Sequence, residues 1–402
     1  MHQMSYRDTW AEVSLDHIQA NVIQFRQFVQ HQSKLMAVVK ADGYGHGAVD
    51  VAKAAILAGA DYLGVALLDE AIQLREAGLV TPILILGYTP PRSVKEAIQY
   101  NITLTVFEDE VLDEIIFHSA QLCKTAYVHL KIDTGMSRIG VTSSEEASFL
   151  AEKVMTAEYV YLEGVFTHFS NADNEDPTYT YKQFHKFQSI LAYLDSKQIP
   201  IPIKHCCNSA ATMNFPEMHM DMVRIGIVLY GLYPDKTLKS HPIQLKQAMS
   251  LKTRIASLRN VEASQPISYG CTWIPKKDSK IATLPIGYAD GLSRLLSNKG
   301  KVLIRDQHAN ITGRVCMDQT MIDISDIENC TVGDEVTVFG NSHSSFQSID
   351  QLAEWMGTIN YEVVCLIGKR VPRVYFKHKQ QIYNANKEQD FLKIKKESSY
   401  IF

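Results

Sequence analysis

The sequence lacks the features that mark several classes of protein. Its seven cysteines are scattered and include no C-x-x-C pair, which argues against a disulfide framework and a structural zinc site. No apolar run approaches the roughly 18 residues that span a membrane, and the first residues lack the apolar segment of a secretion signal. The net charge is −4 and no basic stripe indicates nucleic acid. We therefore expect a cytoplasmic protein with neither membrane nor nucleic acid as a partner.

One stretch of the sequence combines a buried strand with a reactive side chain. The apolar run 35–39 has the length of a strand, ends at Lys40 and is followed at once by Gly43, Gly45 and Gly47. A lysine at a dry strand end loses its proton easily, and a neutral amine can attack a carbonyl to form a Schiff base. A solvated lysine that ends a strand is the alternative, and this stretch alone leaves both open.

Short apolar runs alternate with amphipathic stretches over about 200 residues, from residue 35 to residue 229. This alternation predicts an α/β fold with an N-terminal (β/α)8 barrel of the TIM type, with a doubly wound open sheet as the second choice. No G-x-G-x-x-G motif follows a strand and opens a helix, which weakens the dinucleotide-binding version of that sheet. The eight predicted strands cover residues 35–39, 62–66, 83–86, 102–106, 127–132, 162–167, 203–206 and 223–229.

Polar side chains lie where a barrel would present them, at the carboxyl ends of its strands. Taken singly, His168 has the ordinary role of a core histidine, Arg224 that of an ion-pair partner, and Asn208 that of a helix cap. Several such groups at successive strand ends predict one active site. They are Lys40, Lys131, His168, Asn208, Ser209, Arg224, Gly226 and Ile227.

The pattern changes near residues 233–245, where two prolines and a polar run indicate a linker. Beyond it, apolar residues alternate with period two between turns, which predicts a mostly antiparallel β domain. We assign residues 8–244 to the barrel and 245–376 to the β domain. The lysine-rich remainder, 377–402, is a basic tail of unassigned function and a candidate for disorder.

From about Tyr6 to Val374 the sequence resembles the alanine racemases, which are pyridoxal-phosphate enzymes with this order of domains. The resemblance implies a barrel that binds pyridoxal 5'-phosphate and a second domain that completes the site. It rests on matches in register that include VVKADGYGHG, KIDTGMSRIG, THFSNAD, NSAAT, VRIGIVLYG, ISYGCTW, PIGYADGLSR, GRVCMDQTMID and TINYEVVC.

The resemblance implies a role for each cofactor-binding residue. Lys40 would hold pyridoxal phosphate as an aldimine, and Arg224 would face the ring nitrogen. Because a guanidinium only donates hydrogen bonds, the ring nitrogen would stay unprotonated, which favours racemisation over transamination. The remaining cofactor-binding positions are His168 and Asn208, and, around the phosphate, Tyr44, Ser209, Gly226, Ile227 and Tyr361.

The resemblance also implies a two-base mechanism shared between subunits. Lys40 would act on one face of the substrate and Tyr269 on the other, with His168 and Arg224 forming a hydrogen-bonded chain to the tyrosine. Since Tyr269 lies in the β domain, the family forms a homodimer in which each site takes this tyrosine from the partner. The partner's β domain would bring three further residues to the site in the same way: Cys316, Met317 and Asp318.

The remaining implied residues concern the substrate. Arg138 and Met317 would contact it, and Lys131 matches a lysine that the family often carbamylates to fix the arginine. In the family, the substrate enters through a narrow passage, which favours a small substrate. The residues that match the lining of this entrance are Tyr288, Arg294, Arg314 and Tyr361.

The leading functional hypothesis is therefore interconversion of L-alanine and D-alanine, with the D product used for peptidoglycan synthesis. A racemase of broader range, acting on serine or basic amino acids, is the main alternative. A pyridoxal-phosphate decarboxylase of basic amino acids would lack the ISYGCTW segment. A cofactor-carrying binding protein with a single barrel would not need the second domain.

Overall fold

The computed structural model describes residues 6–377 and 380–384, which divide into two compact units. The barrel unit comprises His17–Gly43 and Gly47–Lys246. The described residues of the β unit come from Met1–Asp16, Tyr44–His46 and Gln247–Phe402. The short segment Tyr44–His46, just beyond Lys40, is thus grouped with the β unit, although its neighbours on both sides are grouped with the barrel.

The strands are numbered here in chain order. The first is β1 (Thr9–Ser14). The next eight are β2 (Lys34–Val38), β3 (Tyr62–Val65), β4 (Ile83–Ile85), β5 (Leu104–Val106), β6 (Ala126–Lys131), β7 (Val160–Phe166), β8 (Ile203–His205) and β9 (Met222–Ile225). The remainder are β10 (Met249–Arg254), β11 (Ser257–Val261), β12 (Ser279–Leu284), β13 (Lys301–Ile304), β14 (Gln307–Ile311), β15 (Thr320–Asp323), β16 (Glu335–Asn341), β17 (Phe346–Gln347), β18 (Arg373–Lys377) and β19 (Gln380–Asn384).

Helices follow most of the barrel strands, and two more lie in the β unit. A typical one, Asp109–Leu122, buries Val111, Leu112, Ile115 and Ser119, which recur at helical spacing on one face. The others are Leu15–Phe28, Ala48–Leu57, Leu68–Glu76, Val94–Gln99, Ser144–Thr156, Thr178–Ser196, Ser209–Asn214, Ile349–Met356 and Asn360–Cys365.

The eight predicted barrel strands are present as β2 to β9, and the predicted barrel is confirmed. They form two parallel ladders, β4-β3-β2-β9 and β5-β6-β7-β8. A bridge between Leu84 and Thr103 joins the ladders on one side, and Arg224 N donates to Cys207 O at 3.1 Å on the other. The strands are buried along nearly their whole length, as expected for parallel strands covered on both faces.

The β unit is built on a sheet whose strand order is β11-β12-β15-β14-β13-β16-β10-β1-β18-β19, with β17 paired to β16. All its ladders are antiparallel except that of β1 with β18. The structure therefore differs from the predicted boundary at residue 8, because β1 belongs to this sheet and the barrel unit begins at His17. The alternating burial of β1 fits a strand with two unlike faces.

The structure also differs from the prediction at the start of the basic tail, 377–402. Residues 380–384 form β19, which pairs antiparallel with β18. The rest of that predicted tail, 385–402, lies outside the described residues.

Arg373 fastens the segment Tyr44–His46 within the β unit. Its Nε donates to the carbonyl of Gly45 at 2.9 Å, and its other nitrogens donate to the carbonyls of Ile367, Gly368 and Val371. Gly45 has φ +77°, and a Cβ added to it would lie 2.3 Å from the carbonyl oxygen of Val364. Only glycine therefore fits this position without displacing backbone.

We predict that Gly45→Ala destabilises the protein by about 3 kcal/mol or more, because a backbone clash adds to the cost of a left-handed alanine. Gly357→Ala is the matched control, since Gly357 has φ +73° and open space around it. That control should lose only about 1 kcal/mol. Urea unfolding followed by circular dichroism measures both losses, and equal losses would contradict the steric argument.

Candidate active site

Lys40 lies two residues beyond the first barrel strand, which ends at Val38, and it begins the left-handed turn Lys40–Tyr44. Ala41, Asp42, Gly43 and Tyr44 have φ between 50° and 60°, and three of these four are not glycine. Such residues cost about 1–2 kcal/mol each in this conformation, so the surrounding structure has to hold them in place. A strained turn directly after a candidate nucleophile is typical of a functional site.

Two carboxylates hold the left-handed turn. The backbone N–H of Ala41 donates to Glu70 Oε1 at 2.6 Å, and the N–H of Ala48 donates to Asp42 Oδ1 at 2.9 Å. Glu70 Oε2 also accepts from the backbone of Ala66 and Leu67. Glu70 is not among the residues predicted from the sequence, because it lies 29 residues from Ala41 and nothing local signals the contact.

Arg224 contacts His168 at the carboxyl ends of the barrel strands, with 3.1 Å between its Nη2 and His168 Nδ1. Burial lowers the pKa of His168 well below its usual value, and the charges of Arg224, Lys131, Arg138 and Lys40, in decreasing order, lower it further. The imidazole is therefore neutral at physiological pH. Two arginines and two lysines near one neutral histidine favour an anionic ligand.

Lys131 is a buried amine of the site. It is only 4% exposed, its Nζ donates to the carbonyl of Ile132 at 3.0 Å, and it lies 5.0 Å from the centroid of the Phe166 ring. Burial, followed by the charge of Arg224, lowers its pKa to about 7, although Asp133 opposes the change. A substantial fraction of this amine is therefore unprotonated and nucleophilic at neutral pH.

The loop that carries Arg138 is folded around a single carboxylate. Asp133 Oδ1 accepts from the backbone N–H groups of Gly135, Met136 and Ser137, and Oδ2 accepts from that of Arg138. Burial alone would raise the pKa of Asp133, but these donors and the Lys131 ammonium together lower it. The charged carboxylate is thus what orders this loop.

Arg224 is buried and most of its donors are occupied. Its Nη1 donates a hydrogen bond to His205 Nδ1 at 2.9 Å. Its Nη2 contacts three acceptors, which are the carbonyl oxygens of Thr167 and Cys206 and the Nδ1 atom of His168. Its Nε–H makes no hydrogen bond to any residue that the structure describes. Burial lowers its pKa to about 10, so the guanidinium stays charged at neutral pH.

A hydrogen bond from Gly226 to Ser209 links the segments that follow β9 and β8. Gly226 N donates to Ser209 Oγ at 2.8 Å, and this hydroxyl keeps its own O–H to donate to a ligand. Asn208 caps the helix Ser209–Asn214, because its side chain accepts from Ala211 N at 2.9 Å. The ordinary role considered for Asn208, that of a helix cap, is therefore present, and the cap fixes the position of Ser209.

The β unit contains two groups of predicted site residues. One is Tyr44 with Tyr361, and the other is Tyr269 with Cys316 and Met317. The rings of Tyr44 and Tyr361 lie 6.3 Å apart. Tyr269 is 72% exposed and Met317 is 52% exposed. Ser268, next to Tyr269, contacts Cys316 Sγ at 3.6 Å.

A further contact holds the loop that carries Met317. Arg370 NH2 donates to Asp318 Oδ1 at 2.7 Å, and Arg370 Nε lies 3.3 Å from the buried carboxylate of Asp290. The backbone N–H groups of Tyr288 and Ala289 donate to the carbonyls of Cys316 and Met317, both at 3.0 Å. Met317 therefore extends into solvent from a loop whose backbone is fixed.

The predicted residues are divided between the two units. The barrel unit contains Lys40, Lys131, Arg138, His168, Asn208, Ser209, Arg224, Gly226 and Ile227, whereas the β unit contains Tyr44, Tyr269, Cys316, Met317, Asp318 and Tyr361. Within residues 6–377 and 380–384, no group of three or more potential metal ligands occurs. No helix in the same residues has the length and hydropathy needed to cross a bilayer.

Comparison with known proteins identifies related sequences and structures. Residues 13–234 match the family described as "Alanine racemase, N-terminal domain", and residues 248–375 match "Alanine racemase, C-terminal domain". The chain is 54% identical over 382 residues to "Alanine racemase 2" of Oceanobacillus iheyensis, covering 95% of this chain and 97% of that protein.

Solved structures of amino-acid racemases are also similar to this chain. The alanine racemase of Bacillus anthracis with bound L-Ala-P superposes with a TM-score of 0.91 at 39% identity, covering 95% of this chain and 98% of that one. The histidine racemase of Leuconostoc mesenteroides superposes with a TM-score of 0.85 at 29% identity, covering 94% of this chain and 100% of that one. The chain is thus more similar to the first than to the second.

We predict that Asp133→Asn destabilises the protein by about 1–3 kcal/mol, because charged hydrogen bonds to four backbone N–H groups are weakened. The folded pKa of Asp133 is lowered, so its contribution is complete above the unfolded pKa of about 3.9 and is lost as the pH falls through the folded value. The difference between wild type and variant should therefore be constant near neutral pH and shrink in acid.

Urea unfolding at several pH values measures this difference. Asp176→Asn is the control, because within the described residues the exposed Asp176 side chain accepts one backbone N–H, that of Thr178, at 3.0 Å. Its unfolding midpoint should stay close to that of the wild type. A difference for Asp133→Asn that grows in acid would contradict the assignment.

Proposed function

The chain belongs to the alanine racemase family, and we propose on that basis that it interconverts L-alanine and D-alanine with pyridoxal 5'-phosphate bound at Lys40. The family makes it an isomerase that acts on amino acids. The observation that carries the finer proposal is the contact of Arg224 with neutral His168 at the strand ends of a barrel, with Lys40 and Arg138 near enough to lower the pKa of the same imidazole. Such a set of cations suits both an anionic cofactor and the carboxylate of an amino acid.

The donors in the barrel unit fit pyridoxal phosphate. Ser209, Gly226 and Ile227 would hold the phosphate, since small residues and backbone N–H groups bind phosphate well, with Tyr44 and Tyr361 as further donors. His168 and Asn208 would complete the pocket. When bound, this cofactor delocalises the electron pair that deprotonation leaves on the substrate Cα.

Arg224 would face the ring nitrogen with its Nε–H, the donor that makes no hydrogen bond within the described residues. A guanidinium with a pKa of about 10 donates and does not accept. The ring nitrogen therefore receives a hydrogen bond but no proton, which weakens electron withdrawal and disfavours transamination. Arg224 thus favours simple removal and return of the Cα proton.

Lys40 and Tyr269 would be the two bases. Lys40 would remove the Cα proton of one enantiomer on one face, and Tyr269 would return a proton on the other face. An ordinary tyrosine has a pKa of about 10, so the phenolate needs nearby positive charge. Arg224, through His168, would supply that charge.

We further propose a homodimer in which Tyr269 completes the site of the partner. The 72% exposure of Tyr269 and the 52% exposure of Met317 support this proposal, because a catalytic phenol needs burial that one chain does not give it. Cys316 and Asp318 would be brought to the partner in the same loop. Tyr288, Arg294 and Arg314 would line the entrance with Tyr361.

Lys131 would act through Arg138. With a pKa of about 7, its amine is available to react with carbon dioxide, and the carbamate would provide Arg138 with a negative partner. Arg138 would then bind the substrate carboxylate, with Met317 beside it.

The product would serve peptidoglycan synthesis in the cytoplasm. A racemase that also accepts serine or basic amino acids remains the alternative, supported by the histidine racemase at 29% identity. The higher identity to proteins named alanine racemase favours alanine.

We predict that the purified protein absorbs near about 420 nm and converts L-alanine to D-alanine, as expected for this cofactor. Tyr269→Phe should keep the band and lose racemisation by about 100-fold or more, the usual size for loss of an acid-base group. Tyr127→Phe, at an exposed tyrosine of β6, is the control and should keep both. A colourless protein that stays colourless with added cofactor would contradict the assignment of Lys40.

We predict that two inactive variants complement each other in mixed dimers. If Tyr269 acts in the partner's site, a dimer of one Lys40→Ala chain and one Tyr269→Phe chain contains one intact site out of two. Purified mixed dimers, isolated with two different tags, should show about half of the wild-type activity. Inactive mixed dimers would mean that each site uses its own tyrosine.

A further inference from the structure

A chain of buried hydrogen bonds runs from Arg224 away from the proposed cofactor site to a carboxylate. Arg224 NH1 lies 2.9 Å from His205 Nδ1, and His205 Nε2 lies 2.8 Å from His129 Nδ1. His129 Nε2 lies 3.0 Å from Glu163 Oε2. Both histidines are completely buried, and all four side chains come from adjacent barrel strands β6 to β9. We call Glu163, His129 and His205 the relay.

The two ends of this chain determine where every proton lies. A guanidinium can only donate, so His205 Nδ1 must accept and the proton of a neutral His205 must be on Nε2. That proton points at His129 Nδ1, which must accept in turn. His129 then carries its proton on Nε2 and donates to Glu163, which as a carboxylate can only accept.

No other protonation of the two histidines satisfies all three contacts. If His129 were an imidazolium, it would donate from both nitrogens and force His205 to present an N–H toward the N–H of Arg224. The geometry therefore requires two neutral histidines and a charged arginine, and it requires Glu163 Oε2 to accept from His129. The ordinary charged state of a glutamate at neutral pH meets that requirement. The direction of the pKa changes agrees, since burial lowers the pKa of His129 and of His205, and the His129 contact lowers that of Glu163 against the effect of its burial.

The surroundings are shaped to hold these rings. The ring of Phe166 stacks on His205 with centroids 4.8 Å apart and an interplanar angle of 8°. A Cβ added to Gly164 would lie 2.7 Å from His129 Cε1, so only glycine leaves room for that imidazole. At the far end, the Tyr62 hydroxyl donates to Glu163 Oε1 at 3.0 Å.

We propose that Glu163, His129 and His205 are positioning residues for racemisation, because they fix the charge and the orientation of Arg224. This inference rests on the proposed function of Arg224 toward the cofactor ring. Within the described residues, Arg224 forms no salt bridge with a carboxylate, and a buried unpaired cation is strongly destabilised. Glu163 supplies the compensating negative charge through two imidazoles. Because those rings occupy one NH1 hydrogen, they also hold the guanidinium plane so that Nε–H stays available for the cofactor.

Neutron diffraction from deuterated crystals of the purified protein tests the relay directly. Deuterons are expected on Nε2 of His129 and on Nε2 of His205, with none on either Nδ1 and none on Glu163. A deuteron on Nδ1 of either ring, or on the glutamate, would overturn the proposed direction of the chain. This result does not depend on racemase activity, so it is separate from any failure of the proposed function.

Kinetics then tests the effect on catalysis. Glu163→Gln keeps an oxygen that accepts from His129 but removes the charge. It should lower kcat about tenfold with KM for alanine within about twofold, the pattern expected for loss of a group that orients another one without touching the substrate. Tyr62→Phe removes a hydrogen bond from the same carboxylate without changing its charge, and should keep both constants within about twofold of wild type.

Two kinetic results would overturn the proposal. One is a kcat for Glu163→Gln within about twofold of wild type, since the charge would then be irrelevant. The other is an equal loss in Tyr62→Phe, since any loosening of the network would then suffice. If Glu163→Gln does not fold, the neutron result on the wild type still decides the proton arrangement on which the proposal depends.

Discussion

The buried positive charge of Arg224 is the constraint on which the rest of the barrel site depends. The guanidinium is fully enclosed, yet it keeps its charge, because nearly every donor meets an acceptor that the barrel strands provide. Burial is the main cause of the low pKa values of His168 and Lys131, and the charge of Arg224 is the next. This one cation therefore reinforces the effect of burial on the neighbouring titratable groups of the barrel.

Three carboxylates hold the cationic side chains in place without lying at the reacting centre. Glu70 fixes the residue after Lys40, Asp133 folds the loop that carries Arg138, and Glu163 ends the chain of hydrogen bonds from Arg224. Each acts through backbone or through neutral rings, so the cations keep their charge available for an anionic ligand. Had these carboxylates contacted the cations directly, the site would have lost much of its attraction for a phosphate or a carboxylate.

Much of this arrangement could be predicted from the sequence. The barrel strands are short apolar runs because parallel strands are buried on both faces, and the polar residues that follow them share one end of the barrel. Other features had no local signal. The alternating pattern of β1 is the same whichever sheet it joins, so its place in the β unit was not predictable. The left-handed turn contains Ala41 and Asp42, which do not indicate positive φ. Glu70 and Glu163 act on groups many residues away, and only the folded chain brings them close.

The proposed function depends on Lys40, among all the lysines of the chain, as the residue that binds the cofactor. Borohydride reduction of the purified protein, followed by peptide mass spectrometry, tests it most directly because the reduced bond survives digestion. We expect a single pyridoxyl adduct, on the peptide that contains Lys40, and none in Lys40→Ala. An adduct on Lys131, the buried amine of the same site, or a persistent adduct in Lys40→Ala would show that Lys40 does not have this role.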